Sequence, residues 1–396
     1  MDAPIVIAGA SLAGLSAARE LRKQGYEGVI RVIDPDEAAP YRRPAISKDI
    51  ITGKQQPDDI RMPWPQDLHL ERVRGTALTE LDLAAQVVRG VTPDGGTVAF
   101  PYAKLVIATG ATSRAVSLPG RGQDVLSIRS LNEGAEAGAR LADARRLVII
   151  GAGFIGLEVA AAASSIGREV TVVEIAAVPL AHAVGTVLGE HLARVHREHG
   201  VEILCEAAVA EIAGDGRVEA VILRDGRVLE ADLVVAAVGS SPNTGWLAGS
   251  GLDISAGLIC DHRCVPRGAP GNVVAAGDVA SWFNPLYERQ MLVEHWTNAI
   301  EQGGYAARQL MGVADAAGFA SAPYFWSEQF DLRIQSVGSS AGHDQVVVLE
   351  RDGDKLVLAY AREGTLIAVA GVNTGAILPK YRRLIERRLP LAELDR

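Results

Sequence analysis

Cysteine is scarce in this 396-residue chain, which has three: Cys205, Cys260 and Cys264. An odd count in so long a chain excludes a secreted disulfide framework and fits a reducing compartment, so a cytoplasmic protein is expected. An excess of positive charge is also lacking. With 39 basic and 48 acidic residues the net charge is −9, the wrong sign for a protein whose partner is a nucleic acid backbone. Membrane-spanning runs are missing too. Ile5 to Ala18 is uncharged, but the residues before it, Met-Asp-Ala-Pro, form no basic leader; Leu147 to Ala163 is broken by Gly151, Gly153 and Gly156 and carries Glu158 at its centre. Neither run reads as a signal peptide or a membrane segment.

What is present is a globular chain, 48% apolar and 22% charged, long enough for two to four domains with their own cores. Pro4 to Ala8 is a β-branched run leading into Gly9-Ala10-Ser11-Leu12-Ala13-Gly14. Helical composition follows over Leu15 to Gln24, then a second strand over Ile30 to Ile33 that ends at Asp34. The pattern returns as Leu147 to Ile150, Gly151-Ala152-Gly153-Phe154-Ile155-Gly156, a helix through Ser165, and Val170 to Val173 ending at Glu174. Later strands run into glycine in both copies, at Leu105 to Gly110 and Leu233 to Gly239, so the chain is internally duplicated. Val273 to Ala276 then leads into Gly277-Asp278, as if the first domain resumed after an insertion. From about Phe319 the texture changes to alternating runs, Gln345 to Glu350 and Lys355 to Ala361, expected to form a C-terminal α+β domain.

A lone GxGxxG carries little weight among 42 glycines: about one chance match is expected in two such chains. Two copies, each with a preceding strand, a following helix and an acid about twenty residues on, carry much more. The first glycine permits the tight turn, the second lets backbone approach a pyrophosphate, and the third allows helix–strand packing. Ser11 replaces the middle glycine in the first copy. In the second, Glu174 would accept hydrogen bonds from an adenosine ribose and repel a 2′-phosphate, and Ile175 to Val178 offer no cation to hold one, which favours NADH over NADPH.

These features resemble the FAD-containing, NADH-dependent ferredoxin reductases that serve Rieske oxygenases and bacterial cytochromes P450, the putidaredoxin reductase type. The resemblance spans nearly the whole chain and is carried by Pro40 to Lys48, Ala108-Thr109-Gly110, Gly156-Leu157-Glu158, Ala276-Gly277-Asp278 and Tyr324 to Gln329. It departs at Ser11 and at Pro44-Ala45, where the family has a glycine and a proline pair. It implies an α/β fold of two Rossmann-like nucleotide-binding domains, for FAD and NAD, the latter inserted, plus a C-terminal α+β interface domain. The implied boundaries are 1–110 and 240–317 for FAD, 111–239 for NAD and 318–396 for the remainder. Gly9, Ser11, Leu12, Ala13 and Gly14 would cradle the FAD pyrophosphate, with Ala108, Thr109 and Gly110 beside them. Asp34 or Asp36 would take the adenine ribose and Leu78 the adenine. Arg43, Lys48 and Arg129 resemble cationic contacts to the flavin and its phosphates, Asp278 resembles the carboxylate that holds the ribityl chain, and Trp296 would lie where the family's chain passes the isoalloxazine. NADH would lie on Gly151, Gly153, Phe154, Ile155, Gly156, Glu174 and Gly239.

Hydride transfer from nicotinamide to flavin needs no protein base, only the two atoms held about 3–3.5 Å apart. The resemblance gives the catalytic support to Glu158 and Lys48, a carboxylate and an ammonium paired beside the flavin. A [2Fe–2S] ferredoxin would then take electrons singly, docking near Trp326 and the basic tail Lys380, Arg382, Arg383, Arg387 and Arg388.

Other readings fit these residues less well. Related enzymes that reduce disulfides or peroxide carry a cysteine near Arg42 to Ser47, and this chain has none there. Cys260-Asp261-His262-Arg263-Cys264 offers three potential ligands that cannot close a tetrahedron, so no metal is expected and partly buried thiols are. A quinone reductase would need an amphipathic membrane tail, whereas this tail has few large apolar residues opposite its charges. Reduction of rubredoxin or quinone, and a non-catalytic NADH-responsive flavoprotein of the apoptosis-inducing-factor branch, are the alternatives.

Overall fold

The computed structural model describes residues 3–37, 40–116, 119, 125–375 and 378–394. Met1 and Asp2, the start of the Met-Asp-Ala-Pro segment, lie outside them. The chain divides into two compact units, the first comprising Met1–Tyr41, Met62–Thr112 and Ser241–Tyr324, the second Arg42–Arg61, Ser113–Ser240 and Phe325–Arg396.

The first unit is built on a five-stranded parallel sheet in the order Val273–Ala275, Lys104–Ile107, Ile5–Ala8, Ile30–Asp34, Glu71–Arg74. Its central strand is buried at all four residues, which is why the sequence shows a continuous apolar run and not an alternation. The helix Leu12–Lys23 starts three residues earlier than its composition indicates, because Ser11 is already the extended residue before it. It packs against the helix Trp296–Met311 so closely that a Cβ on Gly303 would stand 2.3 Å from the Ala13 carbonyl oxygen. A three-stranded antiparallel sheet, Ala77–Asp82, Val87–Val91 and Thr97–Pro101, completes the region used below.

The second unit repeats the plan. Its parallel sheet runs Glu202–Leu204, Glu169–Val173, Arg146–Ile150, Leu233–Ala236, Val125–Leu126, with the helix Phe154–Ser165 after the central strand. Phe325–Arg396 belongs to this unit and consists mainly of a five-stranded sheet, Tyr324–Gln329, Leu332–Gly338, Thr365–Val372, Lys355–Arg362, Gln345–Asp352, followed by the helix Leu378–Glu386. The segment Arg42–Arg61, expected in the FAD half, also groups with this unit. The cause is local: Gly134 and Gly138 on the helix Leu131–Asp143 leave room for Ile46, Ile50 and Ile51, and a Cβ on Gly134 would stand 2.3 Å from Ile46 Cγ2. Among the described residues no helix is long and apolar enough to cross a membrane.

Candidate active site

In the first unit the turn after Ile5–Ala8 can be made only with glycine at its ends. Gly9 has φ +112° and a Cβ there would stand 2.2 Å from the Ala108 oxygen, while one on Gly14 would stand 2.0 Å from the Gly9 oxygen. Asp34 ends the next strand. Its carboxylate accepts the Ala10 N–H at 2.5 Å and the Asp36 N–H at 2.8 Å, so it ties the glycine turn to the strand end while Asp36 lies exposed. The Asp34 carbonyl accepts the Thr76 N–H at 3.2 Å, which brings the strand carrying half-buried Leu78 to the same end of the sheet. Thr109 is locked to Asn243 by two hydrogen bonds of 2.9 Å, and Gly110 follows at φ +68°. Gly277 donates its N–H to Gln302 Oε1 at 2.8 Å and a Cβ on it would meet Ala13 Cβ at 2.9 Å, which sets half-buried Asp278 beside the start of the motif helix. Trp296 opens the helix that packs on the other side of Ala13.

The second unit builds the same turn. Gly151 has φ +102° and its Cβ would stand 2.5 Å from the Ala237 oxygen; that of Gly156 would stand 2.1 Å from the Gly151 oxygen. Glu174 accepts the Ala152 N–H at 2.7 Å and the Ala176 N–H at 2.9 Å. A Cβ on Gly153 would meet nothing within 4 Å, nor would one on Gly239. Space is therefore left beside the first N–H groups of the helix Phe154–Ser165, as a phosphate requires. Both turns fit the dinucleotides that the sequence calls for.

Glu158 lies one turn into that helix and is 5% exposed. Its Oε2 is 2.8 Å from Lys48 Nζ and 2.5 Å from Ser47 Oγ, and its Oε1 accepts from Ser327 Oγ at 2.6 Å. Lys48 also donates to the Pro44 carbonyl at 3.0 Å. A carboxylate this buried needs such donors, since an unpaired one would cost several kcal/mol, on the order of 3–5. Phe154, one turn before Glu158, packs its ring on Phe325 with centroids 4.4 Å apart; Ile155 faces outward. Arg43 donates to the Arg129 carbonyl at 3.1 Å. The loop holding Arg129 is fixed by Glu133, which accepts from the Arg129 and Ser130 N–H groups and from Ser127 Oγ. Burial pushes the Glu133 carboxyl up, but these hydrogen bonds outweigh it and hold the group below its ordinary range.

The pairing of Lys48 with Glu158 was visible in the sequence only through the resemblance; Ser47, Ser327 and the residues behind them were missed. Both serines lie inside runs already singled out, Pro40 to Lys48 and Tyr324 to Gln329. Cys260 and Cys264 are fully buried free thiols, where partial burial was expected, and burial raises both well above the ordinary thiol range. On the C-terminal helix, Tyr381 and Ile385 point inward and Lys380 and Arg383 are exposed, as are Arg387 and Arg388 in the turn after it. Arg382 is half-buried, its Nε 3.1 Å from Glu386. Trp326 is half-buried on its strand.

Residues 3–303 match the pyridine nucleotide-disulphide oxidoreductase family and residues 324–394 the reductase C-terminal family. The chain is 36% identical over 392 residues to the anthranilate 1,2-dioxygenase system ferredoxin–NAD(+) reductase component of Burkholderia cepacia, covering 96% of this chain and 94% of that one. It is 33% identical to rhodocoxin reductase of Rhodococcus erythropolis, with 98% and 90% covered. The solved covalent putidaredoxin reductase–putidaredoxin complex superposes with a TM-score of 0.90 at 30% identity, covering 98% of this chain and 94% of that one.

Proposed function

The chain belongs to the pyridine nucleotide-disulphide oxidoreductase family and carries its reductase C-terminal domain; from that premise we propose how its residues divide the work of an NADH-dependent ferredoxin reductase. The enzyme oxidises NADH and reduces a [2Fe–2S] ferredoxin that feeds a Rieske oxygenase or a cytochrome P450. The observation that carries this reading is two glycine cradles in one chain with no cysteine before residue 205. Electrons that enter at one nucleotide and cannot pass to a nearby thiol must leave to an external acceptor. The chemistry that no side chain supplies, conversion of a hydride pair into single electrons, comes from bound FAD.

Gly9, Ser11, Leu12, Ala13 and Gly14 hold the FAD pyrophosphate, with the Ser11 hydroxyl, which makes no capping hydrogen bond, turned to that use. Asp34 or Asp36 would hold the adenine ribose end and Asp278 the ribityl chain, and Arg43 and Arg129 would add positive charge. Gly151 to Gly156 and Glu174 hold NADH. Lys48 would present its ammonium to the isoalloxazine, and Glu158 holds that ammonium in place and would meet the nicotinamide. The FAD domain is 1–110 with 240–317, its segment Arg42–Arg61 grouping with the second unit, the NAD domain is 111–239 and the interface domain 318–396.

An acidic ferredoxin docks near Trp326 on the exposed cations Lys380, Arg383, Arg387 and Arg388, with Arg382 less available because Glu386 holds it. On a chain of net charge −9 this patch orients the encounter locally, and the rate falls as salt rises. The enzyme works in the cytoplasm, where its three thiols stay reduced. The test is NADH-driven cytochrome c reduction with and without a [2Fe–2S] ferredoxin of the same organism. Ferredoxin should multiply the rate, and Lys380→Glu with Arg383→Glu should raise its KM about tenfold while ferricyanide reduction is unchanged. No acceleration by ferredoxin would redirect the reading to a quinone or to an NADH-responsive protein.

A further inference from the structure

The strand Tyr324–Gln329 turns alternate residues to one side, as any strand does. Phe325, Ser327 and Gln329 meet, in turn, Phe154 and Glu158, which lie four residues apart on one helix, and His196 on the helix Ala181–Glu198. Gln329 Nε2 is 3.2 Å from Ser327 Oγ, and its Oε1 is 2.9 Å from His196 Nε2. Ser327 and Gln329 are each 1% exposed and His196 is fully buried. Its ring is fixed against Phe330, which also stacks on His199 at 3.9 Å.

The direction of every proton in this line follows from the carboxylate. Glu158 only accepts, so Ser327 spends its one proton on it and must itself accept from the next group. Gln329 therefore presents its amide N–H to Ser327 and its carbonyl to His196, which must carry its proton on Nε2. His196 Nδ1 is left buried without a hydrogen-bond partner, a cost accepted at the far end of the line.

We propose that Gln329 and His196 are positioning residues for Glu158, acting through Ser327 to fix the carboxylate that pairs with Lys48. The proposal rests on the reading that Lys48 and Glu158 stand at the redox centre. Among the described residues, Ser47 and Lys48 approach Oε2 and only this line restrains Oε1, and a carboxylate held at both oxygens cannot swing away when a ligand arrives. The arrangement also makes strand Tyr324–Gln329 part of the catalytic machinery and not only a docking surface.

The test uses holoenzyme, with flavin bleaching by NADH followed in a stopped-flow instrument and the histidine ring nitrogens followed by NMR. Glu158→Gln, Gln329→Leu and the milder Ser327→Ala should each slow flavin reduction, the last two about tenfold, the worth of one hydrogen bond to a charged group. Gln329→Leu should slow Glu158→Gln no further, because both act through one carboxylate. NMR should find His196 neutral with its proton on Nε2, and Gln329→Leu should abolish that single tautomer. Multiplying effects in the double variant, or a proton on Nδ1 in the wild type, would overturn the proposal alone. An unchanged rate in Glu158→Gln would overturn the underlying reading and the proposal with it, while the tautomer result still decides whether the line exists.

Discussion

The two glycine turns are built alike down to which carbonyl blocks which Cβ, yet the helices that leave them differ in what they carry. Gly9 and Gly151 are closed by Ala108 and Ala237, Gly14 and Gly156 by the carbonyl of their own first glycine, and Asp34 and Glu174 each accept an N–H from the turn and one from two residues on. The position one turn into the helix is Ser16 in the first unit and Glu158 in the second. The backbone that receives a nucleotide is thus the shared part, dictated by sterics. What distinguishes the second helix from the first is a single buried side chain and the donors gathered around it.

The sharpest way to break that comparison is to place the same methyl in both turns. Gly14→Ala and Gly156→Ala meet carbonyl oxygens at 2.0 and 2.1 Å. The first should emerge from purification without flavin, and the second should keep its flavin while its KM for NADH rises by about a hundredfold or more. Flavin content and steady-state kinetics decide it, and loss of flavin in both would show that the turns are not separate sites. A smaller effect concerns acid. Burial lowers His196 to about 4, below its unfolded value near 6.5. The unfolded chain therefore takes up this proton first, and stability is full above pH 6.5 and declines as pH falls toward 4. Denaturation at pH 7.5 and 5 should show His196→Gln losing about 2 kcal/mol less than the wild type over that interval; equal losses would refute it.

Smaller again is the effect of the strand-end acid. Glu174→Ala should narrow the preference for NADH over NADPH about tenfold, roughly one charge-assisted contact, read from the ratio of kcat/KM values. An unchanged ratio would leave Glu174 as a loop tether only. The smallest concerns Ser11, which stands where the second turn has its middle glycine, Gly153. Ser11→Gly should change flavin affinity by no more than about threefold; a larger loss would mean that the hydroxyl is a principal phosphate contact.

Much of this was legible in the chain because steric rules are local. A turn that puts Gly9 at φ +112° against a carbonyl admits no other residue, so the glycines stand at fixed spacing in the sequence. Parallel strands buried on both faces show as apolar runs for the same reason. That Asp34 tethers the glycine turn, in the place that Glu174 holds in the second unit, needed the fold. The donors on Glu158 were not legible. Ser47 and Ser327 lie 111 and 169 residues away from it, and His196 is 133 residues from Gln329, so no periodicity links them. The grouping of Arg42–Arg61 with the second unit was hidden likewise, since it depends on two glycines of the distant helix Leu131–Asp143 that read as poor helix formers and act as recesses.

The alternation along Tyr324–Gln329 has a consequence for how such a protein can change. Odd-numbered positions face Phe154, Glu158 and His196; the even ones, Trp326 and Glu328, face the other way, with Glu328 exposed. Substitutions on the outward set leave the inward contacts with Phe154, Glu158 and His196 in place. Insertion or deletion of one residue would exchange the two sets at a stroke. Along this strand, diversification is open by replacement and closed by length.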